Sequence, residues 1–199
     1  MTLRLASLAL FAAVIGGAPA LAQTRPQDEV VVTGTAQFQD EVIVTGGSVI
    51  AGESPDAQRV REAIAYANPM PAGAPEGDYP LVAWCEALVL GHVALGETLA
   101  DPDDLDRDIM RLGRIEADSF RAALNRSEAR QTQAVRDAAR AAAEQGASRW
   151  TALMTADDLA RDQAFGLFFG LPGRCEHAAR RLTDNITTPP ATPAEVGLE

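Results

Sequence analysis

Apolar residues recur at helical spacing through most of the chain after residue 53. Ser54 and Pro55 form a helix start, because serine caps a first turn and proline fits its first position, and this helix extends to about Ala67. The strongest helical period covers residues 81–100, which we predict to form the central core helix. Its apolar stripe consists of Leu81, Trp84, Cys85, Leu88, His92, Leu95 and Leu99.

The helical pattern continues after a break at Asp101-Pro102. An aspartate-rich helix start follows that break, and Ser127 is placed to cap a fourth helix that is rich in Ala and Arg and reaches about Gln145. Because this fourth helix has few large apolar residues, we expect it to lie mostly on the surface.

Two shorter helices close the domain, near residues 157–170 and 174–184. Together these segments predict an all-α fold, a bundle of about five helices over residues 53–185. The last segment, 186–199, is rich in Thr and Pro and has too little apolar content to join a core. We therefore predict that it is a disordered tail.

The residues before the helical domain have no helical period. Residues 1–22 combine one arginine, an apolar run and small residues in an Ala-x-Ala pattern, which predicts a signal peptide cleaved after Ala22. The apolar run is too short to span a bilayer, which needs about 20 apolar residues, so we expect no stable membrane insertion. Residues 23–52 are rich in β-branched residues, Gly, Thr and acidic residues, and they predict an extended arm before the helical bundle.

The arm contains the same short segment twice. Asp28-Glu-Val-Val-Val-Thr-Gly34 and Asp40-Glu-Val-Ile-Val-Thr-Gly46 align at an offset of 12 residues and differ at one position. Consecutive β-branched residues favour an extended strand, and the final glycine lets the chain leave it. We predict that each copy binds a partner through its backbone. The predicted partner-binding residues are Glu29, Val30, Val31, Val32, Thr33 and Gly34 in the first copy and Glu41, Val42, Ile43, Val44, Thr45 and Gly46 in the second.

Both copies resemble the TonB box, the short segment near the mature amino terminus of TonB-dependent outer-membrane receptors. In that family the segment lies in the periplasm and adds as a strand to the carboxy-terminal domain of TonB, the mode of recognition called β-augmentation. The resemblance covers residues 28–46 and implies a periplasmic protein of a Gram-negative envelope that contacts TonB or another envelope protein. It does not imply transport, because the helical domain cannot supply the strands of a receptor barrel.

Two other arrangements are open for the arm. The two segments can pair with each other as a hairpin over the helical domain, although an isolated hairpin is marginally stable in water. They can also associate with other copies through their flat edges, which the flanking carboxylates oppose. The sequence does not decide between these arrangements and a partner.

Composition excludes several classes of function. All 17 basic residues are arginine, which excludes a Schiff-base lysine and the phosphate-binding lysine of a P-loop. The formal net charge of −11 argues against nucleic acid and anionic membrane surfaces as partners, since both require a basic surface. The sequence has no Ser-His-Asp motif and no Gly-rich phosphate loop. It therefore predicts no catalytic residue and no cofactor, and an enzyme ranks third among the functions considered.

The two cysteines, Cys85 and Cys175, are expected to form a disulfide, because an exported chain with an even cysteine count usually does. That bridge would join the second helix to the last. A Cys2His2 metal site with His92 and His177 is the alternative, but the spacing lacks the close pairs that make zinc sites recognisable. We predict the disulfide and no metal.

The aspartate run at residues 101–108 invites comparison with a calcium loop. Counting from Asp104 gives carboxylates at the first, third and fifth positions, but Ile109 stands where the loop requires Gly and Ile115 where it requires Glu. Carboxylates at a helix amino terminus are favoured by the helix dipole, and this explains the run without a bound ion.

These observations lead to one functional hypothesis and one alternative. The hypothesis is a non-enzymatic periplasmic interaction protein whose two strand segments pair with a β-edge of an envelope partner, with TonB as the first candidate. The alternative is a small-ligand or metal-binding helical domain, with a site near His92 and Glu86 and the arm as a structural cap.

Overall fold

The computed structural model describes residues 54–167 and 171–198. Within these ranges the chain is helical, and the predicted all-α fold is confirmed. The described residues form seven α-helices where the sequence predicts about five, and one of the additional helices, α5, is a single turn without a helical period of its own. The helices are α1 (Pro55–Ala67), α2 (Asp78–Gly96), α3 (Asp104–Ser127), α4 (Gln133–Ser148), α5 (Thr151–Met154), α6 (Asp158–Gly166) and α7 (Arg174–Thr183), with short 3-10 turns at Glu128–Arg130 and Ala194–Val196.

Two helix starts follow directly from local sequence. The side chain of Ser54 accepts a hydrogen bond from the backbone N–H of Ala57 at 3.2 Å, with Pro55 as the first helical residue. At the start of α3, the Asp103 carboxylate accepts from the Asp106 N–H at 2.8 Å, and the Asp106 carboxylate accepts from the Asp103 N–H at 2.9 Å. This reciprocal pair is a capping box, so the aspartate run has a structural role at the helix start.

The predicted cap of the fourth helix is wrong. Ser127 is the last residue of α3, and its buried hydroxyl donates to the carbonyl of Ala123 at 2.9 Å, one turn back along the same helix. Serine can satisfy its hydroxyl in this way inside a helix as well as at a cap, so its presence alone does not mark a helix start. The 3-10 turn follows, and Thr132 caps α4 by accepting from the N–H of Val135.

The helix α2 lies at the centre of the domain. It packs against α3, α4, α6 and α7, and most of its residues are buried, with the face that carries Leu90 the most exposed. A helix that is apolar all round is expected in such a buried position. By length and composition alone α2 would also suit a membrane span, but most of its apolar stretch is buried by other helices of the same domain.

The expectation that α4 lies mostly on the surface is confirmed, since most of its residues are exposed, but one of its faces is buried. That face carries the small residues Ala139, Ala142 and Gly146, which are buried against α2. A Cβ atom added at Gly146 would lie 2.8 Å from the backbone carbonyl oxygen of Trp84. The absence of large side chains therefore brings α4 close to the backbone of α2.

Two clusters of buried side chains form the core. The smaller cluster holds Leu95, Met110, Trp150 and Phe165 near the end of α2. The larger cluster comprises Leu81, Val82, Trp84, Cys85, Leu88 and Val89 of α2, Ala117, Phe120 and Ala123 of α3, Ala142 of α4, and Cys175, Ala178 and Leu182 of α7.

Residues 186–198 are more structured than the predicted disordered tail. The Ile186 N–H donates to the carbonyl of Arg181 at 2.9 Å, and the Arg181 guanidinium donates to the carbonyl of Thr188. Farther along, the Glu195 carboxylate accepts from the N–H of Thr192 at 2.7 Å. Polar contacts, prolines that restrict the backbone, and the partial burial of Ile186 and Val196 give this segment a defined path.

Candidate functional site

The predicted partner-binding segments, residues 29–34 and 41–46, lie outside the described residues. Their pairing therefore stays a prediction. The helical domain, in contrast, can be searched directly for chemistry, starting from the residues that the sequence singled out.

The disulfide between Cys85 and Cys175 is present, as predicted. It joins α2 to α7, the last α-helix, and both half-cystines are buried in the larger core cluster. By chain-entropy reasoning, a bridge across a loop of this length stabilises the fold by about 4 to 5 kcal/mol. Because the sulfur atoms are bonded to each other, the Cys2His2 metal site is excluded.

His92 is a core residue with defined contacts. Its Nε2 lies 2.9 Å from the carbonyl oxygen of Phe165, and because a carbonyl only accepts, Nε2 carries the proton. The imidazole stacks on the Phe165 ring, with the two centroids 4.4 Å apart, and lies 5.6 Å from the ring of Trp150. Burial lowers the pKa of His92, so the ring is neutral at neutral pH.

His177 lies on α7 and is also buried. Burial, followed by the positive charge of Arg180, lowers its pKa. Among the described residues, no group of three or more His, Cys, Asp and Glu side chains is arranged to hold a metal ion. Both histidines are buried within the domain.

Glu86 has different contacts from His92. Its carboxylate accepts a hydrogen bond from Nε of Arg121 on α3 at 2.6 Å, whereas His92 faces α6. The two side chains thus contact different helices, and the site that the alternative hypothesis places near Glu86 and His92 stays a prediction. Glu86 helps to hold α2 against α3.

A buried ionic cluster joins α1, α2 and α7. Arg181 donates to Glu62 and to Asp78, each at 2.9 Å, and Arg180 donates to the second oxygen of Glu62 at 2.9 Å. Arg181 and Glu62 are 5 % and 6 % exposed. Burial alone lowers the pKa of Arg181, but its hydrogen bonds to Asp78 and Glu62 raise it above the ordinary value. The positive charges of the two arginines are thus balanced by the negative charges of the two carboxylates. Because these four residues lie on α1, α2 and α7, the cluster links the three helices.

Tyr66 completes this ionic cluster. Its hydroxyl donates to the other Asp78 oxygen at 2.6 Å, and burial together with this bond raises the pKa of Tyr66. The phenol is therefore a donor throughout the physiological pH range and is not an available base. The Arg181 guanidinium lies 5.8 Å from the Tyr66 ring centroid, so the cation also faces an aromatic ring.

The described residues also line an apolar cavity of about 330 Å³ between α2 and the residues around α5. Both tryptophans of the chain, Trp84 and Trp150, contribute to it. A Cβ atom added at Gly91 would lie 2.0 Å from Cδ1 of Trp150, so this glycine allows the indole to lie directly against α2. The rest of the apolar wall consists of Pro71, Leu88, Leu153, Leu171 and Pro172.

Arg149 supplies the charged side chain of this cavity. Its Cζ lies 5.3 Å from the centroid of the Trp84 ring, a cation-π geometry, and one of its terminal nitrogens donates to the carbonyl of Ala72 at 2.6 Å. Within the described ranges, no carboxylate lies within salt-bridge distance of Arg149. We refer to the cavity with Trp84, Trp150 and Arg149 as the tryptophan pocket.

The sequence did not reveal the tryptophan pocket or the ionic cluster. Trp84 was identified as a core residue by its spacing, but nothing local connects it with Arg149 or Leu171. A signal was available in the scarcity of tryptophan, since the chain has two and both line this cavity.

Comparison of the chain with protein-family models, with curated proteins and with solved structures found no match.

Proposed function

We propose that this chain is an exported, non-enzymatic interaction protein whose arm adds strands to a β-edge of an envelope partner, with the carboxy-terminal domain of TonB as the first candidate. The observation that carries the proposal is the repetition of Asp-Glu-Val-[Val/Ile]-Val-Thr-Gly in residues 28–34 and 40–46. Such β-branched segments favour extension and expose backbone donors and acceptors to a partner strand.

The disulfide supports export. A bond between Cys85 and Cys175 is consistent with an oxidising compartment, which is where the predicted signal peptide would direct the chain. A periplasmic location would bring the arm to the same side of the membrane as the TonB carboxy-terminal domain.

Two copies of the segment would increase the apparent affinity for a partner. After one copy dissociates, the other holds the partner at a high local concentration, so rebinding is favoured without a new contact. A protein of this kind would act as an accessory to the TonB system or as a competitor for the boxes of receptors. The helical domain would then be the folded body that carries the arm.

Calorimetric titration of the chain from residue 23 onward against purified TonB carboxy-terminal domain tests the proposal. We expect binding that is lost when residues 23–52 are deleted. Val31→Pro combined with Ile43→Pro should also abolish binding, because proline removes backbone donors from both strands. Gln37→Pro, in the segment between the copies, is the matched control and should retain affinity. Unchanged affinity of the double proline variant would reject strand addition.

A further inference from the structure

We propose that the tryptophan pocket binds a small monocarboxylate with an apolar body. The inference concerns the helical domain and is independent of the partner proposed for the arm. It follows from the size and apolar lining of the cavity, from the charge of Arg149, and from the way in which the aromatic wall is held in place.

The size of the cavity suits a small molecule. Its volume of about 330 Å³ is at the lower end of the range of ligand sites. At about 30 Å³ for each water-sized atom, that volume corresponds to a ligand of roughly eleven non-hydrogen atoms. Pro71, Leu153, Leu171 and Pro172 give the cavity an apolar wall, which favours a ligand with an apolar body.

Arg149 determines the charge of the preferred ligand. A guanidinium has five N–H donors, and the bond to the Ala72 carbonyl uses one of them. Arg121, Arg180 and Arg181 each contact a carboxylate, whereas Arg149, like Arg130 and Arg174, contacts none among the described residues and is the one of these three that lines the pocket. The chain has a formal net charge of −11, and the Arg149 guanidinium has no carboxylate partner among the described residues. It is therefore a local positive charge that attracts an anion. A carboxylate fits its fork of donors.

The aromatic wall is fixed before any ligand binds. Trp150 lies against Gly91 on one side and near the His92 ring on another, and Trp84 is 1 % exposed. Side chains held in this way lose little conformational freedom on binding, so a small ligand needs fewer contacts for a measurable affinity.

A larger cavity elsewhere is less suited to an anion. It has a volume of about 600 Å³ and lies between α1, α7 and the tail, and its wall includes Glu62, Arg180 and Arg181. Arg180 and Arg181 both contact Glu62, and Arg181 also contacts Asp78, so the two positive charges are balanced by two carboxylates within the protein. An anion there would compete with an existing ion pair.

Tryptophan fluorescence of the chain from residue 23 onward provides a direct test, because both tryptophans line the pocket. The probes are 3-phenylpropionate and 3-phenylpropionamide, which share a shape and differ in charge. We expect a saturable fluorescence change with the acid, with a dissociation constant below about 1 mM. The amide should bind about tenfold more weakly, because it lacks the charged hydrogen bonds to Arg149. Equal affinity for acid and amide, or no saturable change with either, would overturn the proposal.

Arg149→Gln tests the assignment of the cation. This variant should lose the preference for the acid while retaining the weaker binding of the amide. Arg126→Gln changes the net charge equally at an exposed position of α3 and should keep the preference. Circular dichroism melts verify that both variants are folded. If Arg126→Gln reduced acid binding as much as Arg149→Gln, the effect would come from overall charge and the assignment to Arg149 would fail.

Discussion

Glu116 is a half-buried carboxylate on α3 within electrostatic reach of Glu176 on α7. Burial, and then repulsion from Glu176, raises the pKa of Glu116 to about 7, from an ordinary value of 4.5. The folded chain therefore binds a proton at this position more tightly than the unfolded chain does. The resulting contribution to stability is present at pH values below the ordinary pKa and is lost as the pH rises through about 7.

Glu116→Gln should remove this dependence on pH. We expect its free energy of unfolding to exceed that of the unmodified protein by about 1 kcal/mol at about pH 8, a figure reduced for solvent screening. The difference should shrink toward about pH 5, where Glu116 is protonated in the folded chain. Urea denaturation at the two pH values measures it. Glu144→Gln, at an exposed position of α4, should show no such change, and an equal effect of Glu116→Gln at both pH values would contradict the prediction.

At the scale of helices, the close approach of α4 to α2 depends on small residues in α4. Ala139, Ala142 and Gly146 allow the two backbones to come together, and Gly146 has the least room because a backbone oxygen lies opposite it. A scarcity of large apolar residues is therefore compatible with a buried helix face when the partner helix is apolar on every side.

Gly146→Ala should separate α4 from α2. A methyl group would lie 2.8 Å from the Trp84 carbonyl oxygen, and we expect a loss of about 1 to 3 kcal/mol from overpacking, despite the better helix propensity of alanine. Gly166→Ala is the matched control, since among the described residues nothing outside its own helix and its chain neighbours lies within 4 Å of its added Cβ, and its stability should be unchanged or higher. Urea denaturation compares the two variants. Equal stability of both would show that the helices can move apart without cost.

Some features coded by neighbouring residues were predictable from the sequence, although the cap expected at Ser127 was not formed. The cap at Ser54 and the capping box of Asp103 and Asp106 each join residues only three apart in the chain. Such contacts depend on the local sequence and not on how distant segments pack. Features built from distant residues were not predictable. Glu62 and Arg181 are 119 residues apart, and no local pattern specifies that they meet. The disulfide is an exception because cysteine is rare and export favours pairing.

At the scale of the whole molecule, the disulfide is the main covalent constraint on the unfolded chain. Reduction should lower the free energy of unfolding by up to about 4 to 5 kcal/mol, because the unfolded chain regains the freedom of a long loop. Urea denaturation with and without reductant measures the loss. The double variant Cys85→Ala and Cys175→Ala is the control and should not respond to reductant. Equal stability of the oxidised and reduced protein would contradict this expectation.

The same bond determines how tension would travel through the chain. Residues before Cys85, including the arm, and residues after Cys175 lie outside the covalent loop. A pull on the arm that is resisted at the carboxy terminus would pass from α2 directly into α7 through the two sulfur atoms. The covalent path between the two ends would bypass the loop that carries α3, α4, α5 and α6. This loop, about 300 Å long if fully extended, would not lengthen under the pull while the disulfide is intact. The domain is therefore built so that most of its helices are mechanically shielded from force applied at its ends.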